Sequence, residues 1–381
     1  MLNRPRLKTA ALSAPLLGMA IALFALIASS LPQVSLIGAS RADDGQRLRL
    51  GVYYFPGWKD GERGAPSPRP WDAIRPYPDR EPLLGWYDES GFDVMRRQLG
   101  WMAQYGIDFV MFDWYWDREN FPQMAHALRA YQALGDRQGV GFAIMWANHS
   151  VVPERVDQFD EAVRHWIEHY FADPAYLRVD GRPVVMIFSA QQLDQNARGF
   201  GASGAALLER AQQAARRAGY PGIYFVGGTT VTPVRRDDAA LDGYDALSAY
   251  NYHGLPRGRP FAGGQTTSHD FEQLARGYRE HWQEMLGTSG RDYWLPITAG
   301  WDKRPWGGSR DPRHDDSRPD VPAFARHLRE ARATMAEHAR QTRGIGLVCC
   351  WNEFGEGSYV EPTRGSGFGF LEAIRDVFGP R

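Results

Sequence analysis

From residue 46 onward, short apolar or β-branched runs alternate with longer amphipathic ones. The short runs are residues 48–55, 109–114, 140–146, 183–188, 223–226, 246–250, 293–298 and 345–351. Several are apolar almost without interruption, the pattern of parallel strands covered on both faces. The longer runs repeat apolar residues at helical spacing over 92–105, 124–138, 159–171, 204–218, 271–286 and 321–342. A short helical stretch is expected within 236–241 and a closing helix over 367–377. Acids in the first turn, as in Asp157-Gln158-Phe159-Asp160-Glu161, mark a helix start. Gly106, Gly139, Gly219 and Gly344 stand where helix C-caps belong. Eight strand-then-helix units predict a single α/β domain over residues 47–381, a (β/α)8 TIM barrel. A doubly wound open sheet would carry a Gly-rich phosphate turn after its first strand. Here that strand runs instead into Tyr53-Tyr54-Phe55-Pro56-Gly57-Trp58.

In such a barrel, chemistry belongs where strands end and βα loops begin. Those positions read Tyr53, Tyr54 and Trp58, then Asp113, Trp114, Tyr115 and Trp116, then Trp146, Asn148 and His149. Ser189, Thr229 and Thr230 come next, followed by Asn251, Tyr252 and His253, by Trp301 and Asp302, and by Asn352, Glu353, Glu356 and Glu361. Aromatic and polar groups thus alternate at one end of the barrel. A carbohydrate site needs that mixture, stacking faces beside hydroxyl-binding groups. The expected substrate-binding set is Tyr54, Trp58, Asp113, Trp116, Trp146, Asn148, His149, Tyr252, His253, Trp301, Asp302, Asn352 and Glu361. Each has a plainer alternative: core filling for a Trp, a structural ion pair for Asp113. Two connections, 59–90 and 302–320, are long and rich in Pro, Arg, Asp and Trp, so they are either functional loops or solvated ones.

The eighth strand ends in Trp351-Asn352-Glu353-Phe354-Gly355-Glu356-Gly357. Two carboxylates three residues apart leave a buried strand and enter a Gly-rich turn. Glycosidic cleavage requires a protonated acid for the leaving oxygen and an ionised partner. Two acids in one cleft separate their pKa values by repulsion and desolvation, which provides both forms. Glu353 and Glu356 are therefore the expected catalytic pair; the alternative is one solvated glutamate and one salt-bridge partner.

Composition changes the picture in three places. Net charge is −1 with both signs interspersed, which argues against a nucleic-acid partner. Aromatic residues make up 13% of the chain, which leans toward sugar stacking without establishing it. The His and Asp residues lack metal-ligand spacing, so neither metal nor cofactor is expected. At the N-terminus, Arg4, Arg6 and Lys8 precede an apolar run over residues 10–27, and Ser40-Arg41-Ala42 offers a small-residue cleavage site. That is the layout of a signal peptide over residues 1–42, implying a periplasmic or secreted bacterial protein. An uncleaved membrane anchor is the alternative, and sequencing the N-terminus of exported protein separates the two. Cys349 and Cys350 are the two cysteines of the chain, and adjacent residues of a strand point apart, so no disulfide is expected.

The run Trp351–Gly357, with Tyr359, Glu361 and Pro362, resembles the terminal motif of glycoside hydrolase family 99-like proteins. More closely it resembles their WbsX-like branch, found with polysaccharide gene clusters and often labelled glycosyltransferase. Residues 53–58, Asp113–Trp116, Trp146-Ala147-Asn148 and Gly300-Trp301-Asp302 match in order along the chain. The resemblance implies a (β/α)8 barrel and, for characterised members, retaining endo-α-mannoside cleavage. It would make Glu353 the base at the substrate's 2-hydroxyl and Glu356 the acid/base. The endomannosidases carry Trp-His between the two glutamates where this chain has Phe354-Gly355, which puts mannose as the substrate in question. The expectation is an exported, retaining, endo-acting glycoside hydrolase on a polysaccharide or oligosaccharide. A transferase or transglycosylase in exopolysaccharide assembly, or a non-catalytic polysaccharide-binding barrel, are the alternatives.

Overall fold

The computed structural model describes residues 47–380, except 118, 120, 150–152 and 230–236. The expected signal peptide lies outside the described residues. Among the described residues, no helix is long and apolar enough to cross a membrane.

The barrel strands are β1 (Arg49–Tyr54), β2 (Phe109–Trp116), β3 (Gly141–Trp146), β4 (Arg182–Ile187), β5 (Tyr224–Gly228) and β6 (Ala246–Ser248). A seventh strand, β7, comes in two pieces, Asp292–Tyr293 and Leu295–Thr298, and β8 is Ile345–Cys349. All neighbours pair in parallel. The first piece of β7 pairs with β6 and the second with β8, which in turn pairs with β1, so the sheet closes on itself. The strands are apolar and buried on both faces because helices wrap the outside while side chains fill the inside.

The helices are α1 (Phe92–Gln104), α2 (His126–Ala133), α3 (Val156–His169), α4 (Ala190–Gly199) and α5 (Gly204–Arg217). They continue as α6 (Phe271–Thr288), α7 (Val321–Glu337), α8 (Ala339–Thr342) and α9 (Gly369–Phe378). The (β/α)8 expectation holds. Helix α4 was not expected: its apolar residues are few, and it is started by Ser189, whose side chain accepts from Gln192 N. The run 321–342 divides at His338 into α7 and α8. The stretch within 236–241 is a single 3-10 turn, Ala239–Leu241.

The connection 59–90 is no floppy loop. It carries two 3-10 turns, Pro70–Ala73 and Pro78–Arg80, and a small second core. There Trp71 stacks on Trp58, with ring centres 4.3 Å apart, beside Tyr87, Phe354 and Tyr359. Buried Glu89 accepts from Trp58 N at 2.7 Å and contacts His126 Nε2 at 2.8 Å, tying this layer to α2.

One expectation is corrected here. Cys349 and Cys350 form a disulfide, and the peptide joining them is cis. The expectation assumed a trans, extended pair with side chains on opposite faces. Across the cis bond the two Cα atoms are 2.9 Å apart, and the sulfurs meet.

Candidate active site

After β8 the chain is sewn to the chain leaving β1. Trp351 N donates to Tyr53 O at 2.7 Å. Asn352 then grips Phe55 twice, its Oδ1 accepting from Phe55 N and its Nδ2 donating to Phe55 O, both at 2.9 Å. The Trp58 indole donates to Asn352 O at 2.8 Å. These bonds launch a short antiparallel hairpin of β9 (Asn352–Glu353) and β10 (Ser358–Tyr359). Glu353 stands on its first strand and Glu356 on its turn. Gly357 has φ +68°, and a Cβ there would press on Asp302, so the turn requires glycine. Asp302 N donates to Glu356 O at 2.7 Å, which fixes the turn from the β7 side.

Glu353 and Glu356 line a cavity of about 270 Å³ at the C-terminal end of the barrel, together with Asp113, Tyr115, Met145, His149, Phe188, Tyr250, Asn251 and Trp306. One phenol joins two of its acids. The Tyr250 hydroxyl lies 3.0 Å from Asp113 Oδ2 and 3.1 Å from Glu353 Oε1. A phenol has one proton to donate, so it satisfies one carboxylate and accepts from the other only when that group is protonated. The remaining oxygens, Asp113 Oδ1 and Glu353 Oε2, are buried and bond to no protein group. Burial pushes Asp113 well above the carboxylate range. Burial, then the neighbouring Glu356 and Asp113, does the same to Glu353. Burial raises Glu356 to about 7, with the Lys303 ammonium pulling the other way. Each acid of the cluster is thus shifted toward its protonated form, the direction that acid–base chemistry requires. Larger grooves exist between outer helices, one of about 610 Å³ between α3 and α5. In that groove Asp160 is paired with Arg210.

Of the expected binding residues, the structure brings Asp113 and His149 to the cavity, and the others lie elsewhere. Strand parity explains several. Tyr53 points into the barrel, its hydroxyl 3.2 Å from Met186 Sδ, so Tyr54 points out and donates to Gln98 of α1. Asp113 and Tyr115 point in; Trp114 and Trp116 therefore point out, stacked on each other and against His165. Trp146 packs outward on Trp114 and Trp166, whereas its neighbour Met145 faces the cavity. Asn148 brackets Ser189 through both its amide atoms. Tyr252 is buried, stacked on His281 and bonded to the Tyr293 hydroxyl.

The candidates on the loops lie away from the cavity and are engaged with other protein groups. His253 contacts His314 at 3.0 Å and lies edge-on to Trp301. Trp301 itself is covered by the loop that follows it and donates to Ser309 Oγ at 2.9 Å. Asp302 is buried between Arg80 and Arg304. Burial alone would raise its pKa; the two guanidiniums outweigh that and hold it down. Glu361 is buried and accepts from Tyr87 and Gln98; burial raises it to about 8. Trp58 and Asn352 are the fasteners already described. Sequence reading missed Tyr250 and Trp306. The first was legible as the last residue of the sixth apolar run; the second lay within a loop whose path no local pattern reveals. Among the described residues, no group of three or more His, Cys, Asp and Glu is placed to hold a metal ion.

Known proteins share this architecture. The family model described as Glycosyltransferase WbsX matches residues 76–374. The protein named "Uncharacterized protein WxcX" from Xanthomonas campestris pv. campestris is 25% identical over 317 residues, covering 77% of this chain and 42% of that protein. The chain thus spans less than half the length of that relative. Among solved structures, one named "Glycoside hydrolase-like protein" aligns with a TM-score of 0.64 at 17% identity, over 87% of this chain and 94% of the other. The GH99 endo-alpha-mannosidase from Bacteroides thetaiotaomicron aligns with a TM-score of 0.55 at 13% identity, over 87% and 97%. At these identities the likeness is one of fold, a glycosidase-like barrel. The family match extends over most of the barrel and includes the Glu353–Glu356 turn, and by it the chain belongs to the family described as Glycosyltransferase WbsX.

Proposed function

We propose that this chain is a glycoside hydrolase of retaining, endo-acting type, with Glu353 and Glu356 as its catalytic pair. The observation that carries the reading is the convergence of Asp113, Glu353 and Glu356 in one cavity at the C-terminal end of the barrel. Glu356 acts as the acid that protonates the leaving oxygen and then as the base that activates the incoming hydroxyl. Glu353 acts as the base at the substrate's 2-hydroxyl, whose oxygen attacks the anomeric carbon. The Tyr250 hydroxyl, set between Glu353 and Asp113, orients Glu353. A base with a raised pKa is the stronger base, so burial serves this role provided the proton of the pair rests on Glu356 when substrate is bound.

The same pair with a sugar hydroxyl in place of water would transfer rather than hydrolyse, as the family's description suggests. Incubating the protein with bacterial and plant polysaccharides and reading the products by mass spectrometry separates these outcomes. New reducing ends mark hydrolysis, and lengthened chains mark transfer. Binding that survives loss of both glutamates, with no turnover of any polymer, would leave only a binding barrel.

One observation favours the opposite division of labour. Lys303 stabilises the charged form of Glu356, whereas among the described residues no cation does the same for Glu353. The pH profile of Lys303→Met decides. Removing the cation makes ionised Glu356 less favourable, so the Glu356 pKa must rise. If Glu356 is the acid, activity is lost as pH rises through that pKa, and the basic limb of kcat/KM moves upward. A shift of the acid limb instead assigns the base to Glu356 and the acid to Glu353.

A further inference from the structure

The connection 302–320 follows β7 and is pinned by two buried carboxylates. Asp302 is held by Arg80 and Arg304. Asp315 accepts from Lys303 N at 2.9 Å, Ser309 N at 2.8 Å and Ser309 Oγ at 2.6 Å. Buried carboxylates cost desolvation and are retained where they fix geometry. What this loop fixes is a 3-10 turn, Arg304–Trp306, closed by Trp306 N donating to Lys303 O at 2.9 Å. The Trp306 indole lies against the backbone of Gly355, midway along the turn between Glu353 and Glu356. A Cβ added at Gly355 would overlap its ring. Phe55 meets the ring edge-on at 5.7 Å and Trp58 backs it at 6.3 Å in near-parallel stacking. The indole is half-buried and lines the cavity beside the two glutamates.

A core tryptophan would have no place on the cavity wall and would not stand half-buried there. We propose that Trp306 is a sugar-binding platform, receiving the C–H face of a hexopyranose unit next to the carboxylate pair, with Gly355 conserving the space in which the ring lies flat. Aromatic faces offer such a surface, and the fixed loop spares the ordering that a mobile side chain would require on binding. The proposal rests on the carbohydrate reading of this cavity and adds the residue that grips the chain.

The test uses the full chain carrying Glu353→Gln and Glu356→Gln, so that binding is measured without turnover. Its affinities for yeast mannan, starch dextrin, barley β-glucan and polygalacturonate are taken by affinity electrophoresis and calorimetry. Adding Trp306→Ala should weaken binding of whichever polymer the parent holds by roughly tenfold or more, the scale of losing an aromatic anchor. Trp306→Phe should retain most of the affinity. Gly355→Ala should weaken binding although the indole is still present, because the added methyl displaces it. Unchanged affinity in folded Trp306→Ala overturns the proposal, as does a parent that holds none of the four polymers. The hydrolase reading fails separately: Trp306-dependent binding, with no reducing ends released from that polymer by the unsubstituted protein, would leave the platform standing and remove the hydrolysis.

Discussion

Replacing Glu353 or Glu356 with alanine is expected to abolish turnover of a natural polymer, and the two variants should fail differently. A general acid matters only as far as the leaving oxygen needs a proton. With an aryl or fluoride leaving group, Glu356→Ala should retain much of the first step. It should then stall until a small nucleophile such as azide replaces the base-activated hydroxyl. Glu353→Ala should lose the first step for every leaving group, by about 10²–10⁴-fold or more, because no leaving group substitutes for the missing base. Both should fold. Glu353 is buried with an unbonded oxygen, so its removal relieves a desolvation cost and breaks only the contact to Tyr250. Rates against substrates of graded leaving-group pKa measure this. The mirror-image result, with Glu353→Ala rescued by good leaving groups, would exchange the roles. Wild-type turnover by either variant would remove the site.

How far the site was legible depends on which physical signal each residue left. The barrel was legible because every strand is covered on both faces, so its apolar run stands out against the amphipathic helices. The place of the two glutamates in one cavity was legible because charge leaving an apolar barrel strand lands at the C-terminal end of the barrel. The aromatic candidates lie away from the cavity for a reason equally open to reading. Strand side chains alternate, so Asp113 and Trp114 cannot share a face, nor can Met145 and Trp146. The register pairs Asp113 with Met145 and Trp114 with Trp146. Taking Asp113 as inward would have set Trp114 and Trp116 outward, against α3, and promoted Tyr115. Tyr250 was passed over for Tyr252; the strand ends at Ser248, before either, and Tyr252 packs instead against Tyr278 and His281. Other features left no local trace. Asn352 grips Phe55 across almost 300 positions, and whether an exposed-looking Asp302 is solvated or buried depends on an arginine 222 positions away. Such pairings exist only once the fold brings the partners together.

That arginine provides the second large effect. Arg80 belongs to a loop 3-10 turn, yet it is almost fully buried. Its Nη1 donates to Phe354 O at 2.7 Å and to Asp302 O at 3.0 Å, and its Nη2 pairs with Asp302 Oδ2. It therefore holds both sides of the arrangement that fixes Glu356: the carbonyl of Phe354, the first residue of the turn, and the residue whose N–H donates to the Glu356 carbonyl. Arg80→Met keeps the apolar stem but leaves a buried carbonyl unpaired and Asp302 dependent on the half-exposed Arg304. Breaking a buried pair by removing one partner costs about 3–5 kcal/mol, and the remaining Arg304 contact argues for the lower end. A drop of several degrees in melting temperature is expected, with kcat reduced in the fraction that stays folded, since the glutamate turn loses its anchor. Arg80→Lys should recover little of either. An ammonium can pair with Asp302, but a compact point charge cannot also bridge two carbonyls in the planar spread a guanidinium provides. Thermal melts and single-turnover rates of the two variants measure this. Wild-type stability in Arg80→Met would show that the ion pair and carbonyl bonds are replaceable by water. Lost stability with a fully active folded fraction would show that the hairpin alone positions Glu356.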